Sequence, residues 1–109
     1  QTTQIIAIGH AVRAVGENQC GRADKNTPSH AGTVIGIATN DANAPEMVQI
    51  RTAGYMTVPS WAWTPYQQVF VGIDGSLTQV APESGFCQTV ALAVSPNTVL
   101  VRVDTPILL

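Results

Sequence analysis

The chain of 109 residues is poor in charge. Asp, Glu, Lys and Arg together make up 11% of it, against about 25% in an ordinary soluble domain. The cores of protein interfaces are depleted in charge, and a surface with few charges lacks the repulsion that keeps monomers apart. The deficit favours an obligate oligomer. The alternative is a monomer whose surface is covered by neutral Thr, Gln, Asn and Ser side chains.

Positive charge is especially scarce. Lys25 is the only lysine, the four arginines are scattered, and the net charge is −2. Because no basic stripe is present to neutralise phosphates, we expect no nucleic-acid partner. No apolar run is long enough to span a bilayer and no signal-peptide pattern is present, so we expect no membrane insertion. The first residue is Gln, and we expect the chain to be a piece of a longer protein.

Cysteine is limited to Cys20 and Cys87. Two cysteines do not make a disulfide framework, and no Cys-x-x-Cys spacing points to zinc or redox chemistry. Cys87 alternates with small residues, which is typical of a buried position. Cys20 falls in a polar stretch, where exposure is expected. A bridge between the two cysteines stays open at this point.

Recognisable catalytic groups are also lacking. His10 and His30 have no metal-ligand or acid–base spacing to another group, no serine lies in a nucleophile-elbow pattern, and most acidic residues fall at turn edges. We therefore expect no enzyme activity, no catalytic residues, no metal and no cofactor. A small hydrolase is the weakest alternative.

What the chain does have is apolar residues at alternating positions, which make a small all-β domain the expected fold. About nine short antiparallel strands predict a small β-barrel or β-sandwich. We expect one domain, with residues 1–29 contributing N-terminal strands and a long polar loop, and residues 30–109 the rest. The predicted strands cover residues 3–8, 10–15, 33–39, 47–52, 55–58, 68–73, 77–80, 88–94 and 99–103.

Two connections between these strands are distinctive. Residues 16–32 are predicted to form one long polar loop, a length that usually signals function or mobility. Asp74-Gly75 is the strongest short hairpin signal in the chain, because both residues tolerate the positive φ angles of a tight turn.

Both tryptophans stand in the connection Ser60-Trp61-Ala62-Trp63-Thr64-Pro65. Residues two apart on an extended segment share a face, so Trp61 and Trp63 are expected to lie together. They form either a sugar-stacking or receptor-binding platform with Tyr66, or a structural cap of the core or of a subunit interface. The second interpretation is favoured. Phe70 is also expected to lie in the core or at a subunit interface.

The chain ends in the apolar run Pro106-Ile107-Leu108-Leu109. Termini are normally frayed and solvated, yet each large aliphatic side chain gains about 1.5–3 kcal/mol on full burial. Ile107, Leu108 and Leu109 are therefore predicted to dock into a groove, on the same chain or on a neighbouring subunit.

A series of motifs in residues 30–109 resembles the C-terminal domain of bacteriophage head-fibre and related virion-fibre proteins. The motifs, in chain order, are His30-Ala31-Gly32-Thr33-Val34-Ile35-Gly36-Ile37-Ala38, Val48-Gln49-Ile50-Arg51-Thr52-Ala53-Gly54, Trp61-Ala62-Trp63-Thr64-Pro65, Gly75-Ser76-Leu77-Thr78-Gln79 and Pro106-Ile107. The resemblance departs from the usual pattern at Gln67-Gln68, where Gly-Gln is more common.

The resemblance implies a virion structural protein that is β-rich, homotrimeric and displayed on a phage head or tail, with host attachment as a further role. It implies no catalytic residues. The expected partners are further copies of the chain, other virion proteins and a host surface glycan, and the expected location is the virion, assembled in the bacterial cytoplasm. The alternatives are a capsid-decoration module and a carbohydrate-binding receptor tip.

Overall fold

The computed structural model describes residues 1–109 and confirms an all-β chain. Its only helical element is a 3₁₀ turn at Pro28–His30. None of its segments forms a helix with the length and apolar character that crossing a membrane requires. The strands are β1 (Ala11–Gly16), β2 (Gln19–Arg22), β3 (Val34–Ala38), β4 (Ile50–Arg51), β5 (Ala53–Thr57), β6 (Gln68–Val71), β7 (Leu77–Thr78), β8 (Phe86–Cys87), β9 (Thr89–Ser95), β10 (Thr98–Arg102) and β11 (Ile107–Leu108).

The strands form three open sheets, all with antiparallel pairing. The N-terminal sheet has the order β2-β1-β3-β4, the central sheet has the order β5-β10-β9-β6-β7, and β11 pairs with β8 in a C-terminal ribbon. No sheet closes on itself, so the barrel, one of the two predicted architectures, is not formed.

The main hydrophobic core takes side chains from both larger sheets. On β10 the alternating pattern points Val99 and Val101 inward, where they are at most 1% exposed, while Arg102 is exposed. Ala11 and Ile37 of the N-terminal sheet belong to the same cluster. The neighbour of Ala11, Val12, points to the opposite face of its sheet and joins a second, smaller cluster with Ile6, Cys20 and Ala38. The N-terminal sheet is therefore apolar on both faces.

The predicted strand at residues 3–8 is wrong. The segment forms no strand ladder. It makes one isolated bridge, in which Ile6 and Ala42 exchange two backbone hydrogen bonds of 2.9 and 2.8 Å, and separate hydrogen bonds such as that from the Thr3 N–H to the Cys20 carbonyl at 3.0 Å. Ile6 is fully buried, but Ile5 and Ile8 are exposed. The segment has an irregular backbone and covers the second cluster with Ile6. Its three isoleucines led to the prediction of a strand, but the segment does not pair as one.

The predicted loop at residues 16–32 is also wrong in part, because β2 lies inside it. β2 returns along β1 after a turn at Asn18, whose φ is 58°. Its sequence, Gln-Cys-Gly-Arg, has no alternating apolar pattern. The strand forms because its backbone pairs with β1 and Cys20 fills the second cluster. Cys20 is consequently buried, contrary to the exposure expected from its polar neighbours.

The hairpin at Asp74-Gly75 is present. Asp74 and Gly75 have φ values of 51° and 87°, the pair of positive angles that a type I′ turn needs. The turn is closed by the Ser76 N–H, which donates to the Ile73 carbonyl at 3.0 Å. It joins β6 to β7, with Phe70 paired to Thr78.

Other predicted strands keep their place and change in length. The strand predicted at 47–52 shrinks to β4, a two-residue strand whose partner is β3. β8 and β11 were not predicted as strands; they are two residues long each and owe their extended form to each other.

Gly36 offers a test of the N-terminal sheet. A methyl group on Gly36 would overlap the backbone carbonyl oxygen of Arg51 and lie 2.8 Å from Cγ2 of Ile50. We expect Gly36→Ala to separate β3 from β4 and to lower the free energy of unfolding by about 1–3 kcal/mol, as overpacking does. Gly16→Ala is the control, because its methyl would meet only the end of the exposed Gln19 side chain. Urea unfolding of both variants measures the difference, and equal stability would contradict the packing argument.

Candidate functional site

The connection from β5 to β6, residues 58–67, carries both tryptophans and Tyr66. The rings of Trp61 and Trp63 are in contact, with centroids 5.8 Å apart and planes inclined at 57°. Both rings are half-buried and pack against the main core. The indole Nε1 of Trp63 is buried without a hydrogen-bond partner, so this ring does not present its N–H to a ligand. The two rings thus attach the connection to the main core.

The end of β9 holds this connection in place through the backbone. The Trp63 N–H donates to the Pro96 carbonyl and the Tyr66 N–H donates to the Ala93 carbonyl, both at 2.7 Å. The Ala93 N–H donates in turn to the Gln67 carbonyl at 3.0 Å. Since Ala93 is fully buried in the central sheet, these bonds fix the connection to a rigid element.

A second anchor comes from the side chain of Gln79, just beyond β7. Its Oε1 accepts from the Thr64 N–H at 2.8 Å, and its Nε2 donates to the Thr64 carbonyl at 2.8 Å and to the Gln67 carbonyl at 3.4 Å. The amide therefore pairs with Thr64 as a neighbouring strand would. It connects two sequence motifs that are separated by a hairpin.

Tyr66 is the unusual residue of the connection. Its φ is 68°, in the left-handed region that bulky residues rarely adopt. Such a conformation costs about 1–3 kcal/mol and persists only where the surroundings enforce it. The side chain is 84% exposed. A strained backbone thus holds a largely exposed aromatic ring.

The remaining predicted interface residues lie elsewhere. Phe70, on β6, is half-buried between the buried Val69 and Val71. At the C-terminus, Leu109 donates its N–H to the Gly85 carbonyl at 3.0 Å, which continues the pairing of β11 with β8. The tail docks on its own chain through its backbone, yet Ile107, Leu108 and Leu109 remain 63%, 67% and 58% exposed. The outer edge of β11 has no partner strand.

The two histidines lie in different turns and accept hydrogen bonds. Nδ1 of His10 accepts from the Ala7 N–H and Nδ1 of His30 accepts from the Asp24 N–H, each at 3.0 Å. Partial burial lowers the pKa of both histidines from 6.5, assisted by the charge of Arg22 at His10 and of Arg13 at His30. Nearby aspartates oppose the shift in each case.

The cysteines and acidic residues are not assembled into a reactive site. Cys20 and Cys87 are both free thiols and belong to different sheets, so no bridge joins them. No group of three or more His, Cys, Asp or Glu side chains has the arrangement to hold a metal ion.

Sequence reasoning identified the aromatic residues of the connection and missed what holds them. The Gln79 clamp has no local signal, because its partner lies 15 residues away. The left-handed conformation of Tyr66 has a weak signal in the local sequence. A residue between Pro65 and the start of a strand must turn the chain sharply, and no glycine or asparagine is available there.

Comparison of this chain with protein-family models, with curated proteins and with solved structures gave no match in any of the three.

The Gln79 clamp can be tested by removing it. We expect Gln79→Ala to lower the free energy of unfolding by about 1–3 kcal/mol, because Thr64 loses both partners of its backbone groups. Amide exchange at Thr64 and tryptophan fluorescence should show a looser connection. Gln67→Ala is the matched control, since the Gln67 side chain is exposed and makes no hydrogen bond. A Gln79→Ala variant as stable and as protected as the control would contradict the clamp.

The histidines predict a loss of stability on acidification. Their pKa values are lower in the folded than in the unfolded chain, so the unfolded chain binds more protons. Stability is fully present above the unfolded value of 6.5 and falls as the pH drops below it towards the folded values.

This prediction is measured by melting curves between about pH 5 and 8, the range where histidine titrates. The control is the double variant His10→Asn and His30→Asn, because asparagine Oδ1 can accept the same N–H groups without titrating. The double variant should lose most of the dependence on pH in this range, and an unchanged dependence would assign it to other groups.

Proposed function

We propose that this chain is a structural domain of a bacteriophage virion, part of a head or tail fibre or spike, that acts by forming a homotrimer and by displaying its connections on the particle surface. The virion context is supported by the ordered motifs of residues 30–109. The role is architectural, and the partners are copies of the same chain and other virion proteins.

The observation that carries self-association is the free edge of β11. Exposed edge strands of soluble proteins are normally protected by lysine, proline, a bulge or a covering segment. β11 is only two residues long, which itself limits strand addition, but its edge carries Ile107 and Leu108, followed by Leu109, with no lysine or bulge after Pro106. Each of the three side chains is more than half exposed, so contact with a second copy can add about 1 kcal/mol or more per side chain.

A second exposed surface lies close in sequence to the segment that binds the tail. Pro82 and Glu83, which shortly precede Gly85, line a groove of about 380 Å³ that is also lined by Ile73 and Val80. Ile73 and Val80 are 57% and 76% exposed. Lys25 and Glu83 provide one charge of each sign at its border.

Size-exclusion chromatography with light scattering tests the trimer. The mass should be three times the 11.5 kDa of the chain, and a monomer at micromolar concentration would contradict the proposal. Antibodies against the domain should label projections on particles of a phage that carries this gene, and absence of labelling on intact particles would contradict the virion role.

The contribution of the edge can be separated from that of the fold. We expect Leu108→Lys to fold but to dissociate, because a lysine on an edge strand opposes strand addition. Deletion of residues 107–109 should weaken association and also lower the melting temperature, since β8 loses its partner. Ile5→Lys is the matched control, because Ile5 and Leu108 are similarly exposed, at 63% and 67%. Equal dissociation of Ile5→Lys and Leu108→Lys would show that the edge is not specific.

A further inference from the structure

β5 is an edge strand without the usual protection. It lies at the end of the central sheet, and its pairing with β10 runs through all five residues without a bulge. Its sequence, Ala-Gly-Tyr-Met-Thr, has no charge and no proline, and no backbone hydrogen bond from another segment reaches its outer side. Lysine, proline, bulges and covering segments are the devices that keep an edge from adding a strand. β5 has none of them, so its edge is open to a further strand.

The pairing of β5 with β10 identifies the backbone groups that point outward. The Val58 N–H donates to the Asn97 carbonyl at 3.0 Å, and bonded and non-bonded pairs alternate along antiparallel strands. The even-numbered residues of β5 therefore bond to β10, whereas the N–H and C=O groups of Ala53, Tyr55 and Thr57 face outward. The Tyr55 side chain is also 65% exposed.

The same alternation applies to β11. The Leu109 N–H donates to the Gly85 carbonyl, so Ile107 also bonds to β8, and Leu108 presents its N–H and C=O outward. The carbonyl of Pro106, directly before the strand, points the same way, while proline has no N–H to offer. The tail, Pro106–Leu109, therefore presents one donor and two acceptors to a neighbouring strand.

The two edges match in one antiparallel register. With Leu108 opposite Tyr55, these residues exchange two hydrogen bonds, and the Pro106 carbonyl accepts a third from the Thr57 N–H. Residues directly opposite each other share a face, so the exposed leucine covers the exposed tyrosine ring. The register with Leu108 opposite Thr57 sets Pro106 against Pro59 and loses a hydrogen bond. The register in the other direction gives up the tyrosine as the partner of the leucine.

The remaining strand edges are less suited to receive the tail. The outer side of β2 is occupied by residues 1–3, because Cys20 bonds to Gln1 and Thr3 through its backbone. The outer side of β8 is occupied by Lys25, whose carbonyl accepts from the Phe86 N–H at 2.9 Å. β4 and β7 have only two residues each. β5 is thus the longest open edge in the fold.

We propose that the tail of each subunit adds as a strand to the β5 edge of the next subunit. The inference rests on the proposed homotrimer and names the contact that builds it. Strand addition supplies main-chain hydrogen bonds, and the opposed side chains select the partner. The contact joins two different surfaces, and a heterologous contact of this kind closes into a ring where the rotation allows it. Pairing of β5 with itself would instead be two-fold and would give an even number of subunits.

The contact is tested by exchanging charge across it. Tyr55→Asp and Leu108→Lys each set a charge against an apolar partner, so each should raise the concentration at which the trimer dissociates about tenfold or more. The double variant sets opposite charges face to face and should recover most of that loss. Light scattering during dilution measures the mass, and circular dichroism checks that each variant is folded.

The matched control is the combination of Tyr66→Asp with Leu108→Lys. Tyr66 is also an exposed tyrosine but lies outside β5, so this combination should dissociate as readily as Leu108→Lys alone. Equal recovery by both combinations would show that the charges do not meet at β5 and would overturn the contact.

Amide exchange gives a readout on the unsubstituted protein. The amides of Tyr55, Thr57 and Leu108 should be protected in the trimer and should exchange freely at Tyr55 and Thr57 in the dissociated Leu108→Lys variant. A trimer in which these amides are unprotected would overturn the contact and leave the trimer itself standing. A monomer at micromolar concentration would contradict the proposed function together with the contact. A dimer with a protected Tyr55 and no recovery in the double variant would show that β5 pairs with itself.

Discussion

The pairing of β9 on both of its edges is the interaction on which the rest of the structure depends. β10 lies on one side and β6 on the other, and Val90, Ala91 and Ala93 are at most 1% exposed. The strand therefore builds the main core with one face and the central sheet with its backbone. The last residues of β9 and the turn after it then bind the connection that carries Trp63 and Tyr66. A change that moved β9 would move the core and the candidate site together.

The scarcity of charge decides the character of the exposed surface. With so few charged side chains, contacts to other molecules depend on apolar area and on neutral hydrogen bonds, and salt screens them little. The free edge of β11 offers apolar side chains, whereas the connection at Tyr66 offers one aromatic ring among polar neighbours. The two surfaces therefore differ in chemistry.

Much of the fold could be predicted from local patterns. β3, β5, β6, β9 and β10 lie where alternating apolar residues place them, and the Asp74-Gly75 turn follows from residues that accept positive φ. The predictions failed where a pattern was imitated or missing. Residues 3–8 contain an apolar run of the kind found in strands but form no strand, whereas β2 lacks an apolar pattern and forms one. In both cases the decisive contacts, Ile6 with Ala42 and Cys20 with the second cluster, come from distant parts of the chain.

The candidate site, like the fold, was predicted from the sequence only in part. The sequence placed Trp61, Trp63 and Tyr66 together in one connection, because residues so close along the chain cannot be far apart. It did not reveal that the tryptophans lean on the core, that Gln79 clamps Thr64, or that Tyr66 adopts a left-handed conformation. By itself the sequence determined an all-β chain with its main strands and its tightest turn, since alternation and turn preference act over a few residues. Only the tertiary structure decided which strands pair, which faces are covered and which ring is displayed, because those outcomes depend on contacts between residues far apart in the chain.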